Sequence, residues 1–315
     1  MKVEDIKTIC VVGAGFMGHG IAQTFAQKGF RVNMTTRREE TLQQAQSKIK
    51  ANVERMTESG LMSQDEARAV SSNLNATNDR AAAVKDADFI IETLKEDPNL
   101  KKQIFSEING LCPKHAIFAT NTSSISIADL APSTGRADRF VGMHWWNPPH
   151  LMPLVEVVKG PQTSDEFAQI TLELVNKLGR VPVTCKDNPG FLGVRIQAAI
   201  LLESIRILEE GIASAEDIDT AVKLTLGLRL PITGPLQIID LGGMDTFYYA
   251  YDYLGKHLAD RFIPPKLLKN NAEQGKLGIK TGEGFHSYTP EKIQEIVKKR
   301  DKWLIEKVKE IYQQR

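Results

Sequence analysis

His144 closes a strand-like run at 140–144 (FVGMH), and twelve residues on, Glu156 sits inside the apolar run 154–158 (LVEVV). A carboxylate within an apolar strand needs a partner, because burying its charge alone is costly. An imidazole suits that need: the carboxylate fixes the ring tautomer and favours the imidazolium formed when the ring accepts a proton. A histidine titrating near neutrality fits proton transfer from a secondary alcohol while hydride leaves the same carbon. The spacing alone also accommodates a histidine that merely ends a strand and a glutamate paired with a surface lysine. A turn through Pro148-Pro149 permits the two to meet. A second polar cluster, Asn121-Thr122-Ser123-Ser124, follows the run 116–120. Its hydroxyls and amide suit a ligand oxygen or carboxamide, although small polar residues also make ordinary turns and caps. Glu96 and Lys101 flank the start of the helical stretch 98–109 and are candidates for cofactor or hinge contacts. The remaining histidines (His19, His115, His150, His257, His286) show no metal-ligand spacing, and no metal is expected.

A hydride needs an acceptor, and the start of the chain offers a place for one. Gly13-Ala14-Gly15-Phe16-Met17-Gly18 lies between an apolar run at 7–12 and a helical pattern at 17–28. In that position Gly13 permits a tight turn, Gly15 lets backbone approach a pyrophosphate, and Gly18 allows helix to pack on strand. Amides at the helix start then meet the phosphate charge. A dinucleotide is the expected ligand. At the end of the second strand-like run, 31–36, a ribose-reading enzyme for NAD would place an acidic residue. This chain has Thr36-Arg37-Arg38 instead, and two guanidinium groups suit the extra phosphate of NADP. NADP is favoured over NAD, the alternative being that Arg37 and Arg38 are solvated and offset by Glu39 and Glu40.

The elements that must hold these residues alternate. Further strand-like runs at 87–91 and 180–184 are interleaved with helical patterns at 39–58, from about 63, and at 165–178, which argues for a mostly parallel sheet covered on both faces. From Phe191 the pattern is helix after helix (191–209, 216–226, 235–256 with a break at Gly242-Gly243, 264–273 and 290–315). The boundary is expected near 186, giving a dinucleotide-binding α/β domain over 1–186 and a helical domain over 187–315. The 315 residues carry 40 Lys+Arg against 39 Asp+Glu, which gives no support for a nucleic-acid or membrane-surface partner. The three cysteines, Cys10, Cys112 and Cys185, are isolated and are read as small buried hydrophobes in a reducing cytoplasm.

Together these pieces resemble the L-3-hydroxyacyl-CoA dehydrogenase family, which includes bacterial 3-hydroxybutyryl-CoA dehydrogenases. The resemblance runs essentially end to end, through GAGFMGHGIA, ETLKEDPNLKKQIF, NTSSISI, HWWNPPHLMPLVEV, KDNPGF, EEGIASAEDIDTA, GPLQIIDLGGMDT and GKLGIKTGEGF. It implies a Rossmann-type NAD(P)-binding domain followed by an all-helical dimerisation domain. It implies His144 as catalytic base, Glu156 as its orienting carboxylate, Ser123 at the substrate hydroxyl and Asn147 in the same wall. It also implies Lys101 as a cofactor-ribose contact, an acyl-CoA substrate and a homodimer. Two positions depart from the family pattern: Thr36 stands where an acidic residue is usual, and Val194 stands where an asparagine usually contacts substrate. The second departure leaves room for a non-CoA 3-hydroxy acid, such as a sugar acid of the gulonate type.

Overall fold

The computed structural model describes residues 1–313. Gln314 and Arg315, expected at the end of the last helix, lie outside the described residues. The chain separates into two compact units, Met1–Leu201 and a second from Leu202 onward. The division falls inside a helix, some way past the boundary expected at 186.

The first unit is built on one eight-stranded sheet: β1 (Thr8–Val12), β2 (Arg31–Thr35), β3 (Leu74–Thr77), β4 (Phe89–Glu92), β5 (Ile117–Thr120), β6 (Phe140–Trp145), β7 (Leu154–Lys159) and β8 (Val181–Lys186). Their order is β3-β2-β1-β4-β5-β6-β7-β8. Every neighbouring pair is parallel except β6 and β7, which are antiparallel. The helices are α1 (Gly18–Gln27), α2 (Glu39–Glu58), α3 (Gln64–Asn73), α4 (Arg80–Val84), α5 (Pro98–Asn109), α6 (Ile127–Leu130), α7 (Asp165–Lys177) and α8 (Gly193–Glu209), the last continuing into the second unit.

Alternation along β1 shows why both faces are covered. Ile9 and Val11 join one buried cluster with α1, α2 and α7, while Cys10 and Val12 join another with α4, α5 and α6. Strand β3 is absent from the sequence expectations. Its four residues, Leu-Asn-Ala-Thr, form an edge strand carrying only two apolar side chains. Of the cysteines only Cys10 is fully buried; Cys112 and Cys185 are half-buried thiols.

The second unit holds α9 (Ala215–Leu224), α10 (Leu226–Arg229), α11 (Pro235–Gly242), α12 (Met244–His257), α13 (Lys266–Glu273) and α14 (Pro290–Gln313). Buried Asp240 on α11 pins the segment before α14: it accepts from the amides of Phe285 (2.9 Å) and His286 (3.1 Å) and from the Tyr288 hydroxyl (2.8 Å). The Trp303 indole N–H donates to the Leu228 carbonyl at 2.9 Å and ties α14 to α10. Among the described residues no helix is long and apolar enough to cross a membrane.

The glycine turn after β1 shows how tightly the first unit is set. Gly13 has φ +119°, a left-handed conformation that glycine alone adopts readily. A Cβ at Gly18 would overlap the Gly13 carbonyl oxygen and lie 2.6 Å from Thr93 Oγ1, whereas one at Gly15 would meet nothing within 4 Å. Gly18→Ala is therefore expected to cost about 1–3 kcal/mol of stability in urea denaturation. Gly15→Ala is expected to unfold like the native chain yet bind dinucleotide more weakly, because its open side is where a pyrophosphate would lie. Equal stability losses in the two variants would contradict this division of roles.

Candidate active site

Open sheets of this order bind ligands outside the C-terminal strand ends, where the chain changes direction across the sheet. Here that point lies between β1 and β4, and the first of two adjoining clefts opens beside it. Its volume is about 560 Å³, and Gly13, Gly15, Thr36, Arg37, Arg38, Thr41 and Arg80 are among its lining residues. The second cleft, about 710 Å³, is lined by Gly15, Phe16, Met17, Glu96, Asn121, Ser123, His144, Trp146 and Asn147, among others. Gly15, Thr93, Leu94 and Lys95 line both. All the candidate site residues except Gly18, Lys101 and the fully buried Glu156 therefore border these two clefts. Gly18 is buried in the turn beneath.

The acid–base pair is set by strand register. His144 on β6 lies directly opposite Glu156 on antiparallel β7, so their side chains project side by side from one face. His144 Nδ1 is 2.6 Å from Glu156 Oε2. A carboxylate only accepts, so Nδ1 carries the proton and Nε2 is left as the basic nitrogen. The other oxygen, Glu156 Oε1, accepts from the amides of Leu192 (3.1 Å) and Gly193 (2.8 Å), at the start of α8. Burial by itself would raise the Glu156 carboxyl, but the hydrogen bonds from His144 and Gly193 outweigh it and hold the group below its ordinary range. The carboxylate is therefore charged and in place to stabilise an imidazolium.

Asn121 ends the neighbouring strand and accepts from the Trp145 amide at 2.8 Å, tying the end of β5 to the end of β6. The turn after β6 is fixed from behind by Arg180, whose guanidinium donates to the carbonyls of His150 (2.9 Å) and Met152 (3.3 Å). His150 itself packs beside Asn52 of α2, with its Nδ1 3.4 Å from the amide nitrogen. Burial first, then the nearby His19, Arg55 and Arg180, lower this imidazole to about 4, so it is neutral at physiological pH. Sequence reading missed this support. A histidine two residues after Pro148 in an otherwise apolar turn was the available signal.

Lys101 is enclosed by carboxylates. It is 1% exposed, and its ammonium lies 2.8 Å from both oxygens of buried Glu92 and 3.4 Å from Glu96. With its charge enclosed in this way, it holds Glu92 and Glu96 in place. Thr120 Oγ1 also donates to Glu92, at 2.7 Å. Glu96 in turn accepts from the Thr122 hydroxyl, the amides of Ser123 (2.9 Å) and Ser124 (3.0 Å) and the Ser124 hydroxyl (3.0 Å). The Ser123 hydroxyl is 3.4 Å from the same oxygen. Glu96 thus shapes the loop that presents Ser123. Among the described residues no group of His, Cys, Asp or Glu is arranged to hold a metal ion.

The dinucleotide turn, the open face at Gly15 and the His–Glu pair beside the adjoining cleft define a nicotinamide-dependent oxidoreductase of the CH–OH group. The model of the 3-hydroxyacyl-CoA dehydrogenase NAD-binding domain matches residues 8–188, and that of the C-terminal domain matches 190–288. The chain belongs to the 3-hydroxyacyl-CoA dehydrogenase family. A probable 3-hydroxybutyryl-CoA dehydrogenase of Deinococcus radiodurans is 39% identical, over 88% of this chain and 99% of its own. The crystal structure of a 3-hydroxyacyl-CoA dehydrogenase from Archaeoglobus fulgidus is 34% identical with a TM-score of 0.78, covering 95% of this chain and 98% of that one. That of a 5-formyl-3-hydroxy-2-methylpyridine 4-carboxylic acid 5-dehydrogenase, described as an NAD+ dependent dismutase, is 30% identical with a TM-score of 0.75, covering 96% and 97%. The protein is accordingly an oxidoreductase that uses NAD(P) on a 3-hydroxyacyl-CoA-like substrate.

The Glu96 network makes a pH-dependent contribution to stability. Burial would raise the Glu96 carboxyl, but the Thr122 hydroxyl, the Lys101 charge and the Ser123 amide together hold it at about 2. Its folded value lies below its unfolded one, so the stabilisation is complete above the unfolded range and is lost as pH falls toward the folded value. Glu96→Gln is expected to melt at a lower temperature than the native protein at neutral pH. The gap should narrow between about pH 5 and pH 3. Thermal denaturation across that range is the check, and a gap independent of pH would exclude the charged carboxylate as its source.

Proposed function

We propose that this protein interconverts a short-chain L-3-hydroxyacyl-CoA, such as 3-hydroxybutyryl-CoA, and the corresponding 3-ketoacyl-CoA, with NADP preferred over NAD. The observation that carries the reaction is the buried His144–Glu156 pair beside Ser123 and Asn147. In oxidation, His144 Nε2 takes the proton of the C3 hydroxyl, and Glu156 stabilises the imidazolium that results. Ser123 and Asn147 orient the substrate oxygen toward that nitrogen. A nicotinamide cofactor, when bound, supplies the hydride chemistry. In the reducing direction His144 returns the proton as an acid.

The residues fit a dinucleotide on two counts, the unobstructed face of Gly15 and the amides at the start of α1. The preference for NADP is supported by the surroundings of Thr36. Arg37 and Arg38 are exposed at the cleft, and among the described residues neither enters an ion pair. Glu39 and Glu40 are engaged instead by Gln43 and Gln44 one turn on, at 3.4 and 3.3 Å. The two guanidinium groups are therefore free to meet a phosphate. A homodimer is supported by apolar side chains left exposed on the second unit, among them Leu202, Ile205 and Leu208 of α8 and Tyr249 and Tyr253 of α12. The second reading, oxidation of a free hydroxy acid, is supported by the likeness to the pyridine carboxylate dehydrogenase and by Val194, which offers a substrate no polar group.

A steady-state assay with acetoacetyl-CoA, run in parallel with NADPH and NADH, separates these readings. NADPH is expected to be oxidised with the higher kcat/KM. His144→Ala and Glu156→Gln are each expected to lower kcat by a factor on the order of 10²–10⁴. Turnover with NADH alone would refute the cofactor preference and leave the reaction standing. Absence of turnover by protein that binds dinucleotide would favour the free acid.

A further inference from the structure

Trp146 immediately follows the strand that carries His144, and its indole packs on the imidazole, with ring centroids 5.3 Å apart and planes inclined at 58°. The edge of the indole abuts the first residue of α8. A Cβ at Gly193 would collide with the indole edge at Cζ2, with Cη2 at 3.1 Å and Cε2 at 3.2 Å. The ring is thus fitted with its edge against bare backbone and packs beside the imidazole. Its segment is anchored at Trp145 by Asn121 and beyond the turn by Arg180. It lines the same cleft as His144, Ser123 and Asn147.

We infer that Trp146 is a specificity-determining residue, a fixed wall limiting the size of the substituent on the carbon that bears the reacting hydroxyl, and that Gly193 is what allows it to stand there. The inference rests on the proposed role of His144. The reacting hydroxyl must lie at His144 Nε2, so groups on its carbon come up against a ring packed on that imidazole. An indole whose edge already abuts the backbone of α8 cannot withdraw toward that helix to admit a longer chain. The substrate class that fits is a 3-hydroxy compound with a small terminal group.

The test compares kcat/KM for acetoacetyl-CoA and 3-ketooctanoyl-CoA in the native enzyme, Trp146→Phe and Trp146→Ala. Each ratio is internal to one protein, so a partly folded preparation does not distort it. The native enzyme is expected to favour the shorter substrate. Trp146→Ala should shift the ratio toward the longer one by about tenfold or more, with Trp146→Phe between. An unchanged ratio in Trp146→Ala overturns the inference. Gly193→Ala supplies a second readout. It is expected to lower kcat/KM in the native background and to cost less in Trp146→Ala, where the added methyl has room; an equal cost in both overturns the role of Gly193. If no thioester turns over, the thioester reading fails, and the same ratios taken over free 3-hydroxy acids of increasing size decide on Trp146.

Discussion

The buried charge of Glu156 is the constraint on which the site depends. It is fully enclosed within an otherwise apolar strand, where an unpartnered carboxylate would be costly. Three donors from two parts of the chain satisfy it: the His144 ring on β6 and the amides of Leu192 and Gly193 at the start of α8. Meeting all three requires β7 to run antiparallel to β6 in one particular register. A slip of one residue would turn Glu156 to the other face and part it from the histidine. The one antiparallel pair in this sheet is thus where the acid–base chemistry lies. A parallel β7 would need a long crossover from β6, and the short turn through Pro148 and Pro149 excludes one.

A second buried carboxylate, Glu92, sets the opposite wall of the cleft in the same way. Lys101 and Thr120 satisfy it, and Lys101 also reaches Glu96, which gathers the amides of the loop bearing Ser123. A buried ion pair of this kind adds little net stability, but loss of one partner strands the other, at a cost of about 3–5 kcal/mol. Its value here is geometric. The ends of β4 and β5 and the start of α5 are held in one arrangement, and Ser123 faces the cleft from a loop that would otherwise have only its own turn to shape it.

These walls differ in how clearly the sequence announces them. The glycine turn is legible because each glycine answers a distinct steric demand, and Gly13 and Gly18 meet theirs in the folded chain. The His144–Glu156 pair was legible as a need, a charge in an apolar strand, but strand direction and register are long-range properties that spacing does not fix. The buried pairing of Lys101 was not legible because lysines at helix starts are usually solvated. Its partner, Glu92, ends the apolar run before that helix, so the same argument used for Glu156 applies to it. Strand β3 went unseen because an edge strand with two polar positions in four has no apolar run to mark it. The helical character of the second unit, by contrast, follows from periodicity alone, since its long helices are amphipathic.

Gly193 joins the two halves of the site's logic. Its amide completes the hydrogen bonding of Glu156, which requires the first turn of α8 to approach β7 closely. Its missing side chain lets the edge of the Trp146 indole abut that same turn while the ring packs beside the imidazole. A larger residue would have to displace either the amide from the carboxylate or the indole from the histidine. Proton transfer and the shape of the space beside it are therefore set by one backbone position, although no side chain there touches the substrate. Divergence in what this scaffold accepts is constrained accordingly: the wall at Trp146 can be recut by changing the indole, but the helix turn behind it is committed to the charge it stabilises.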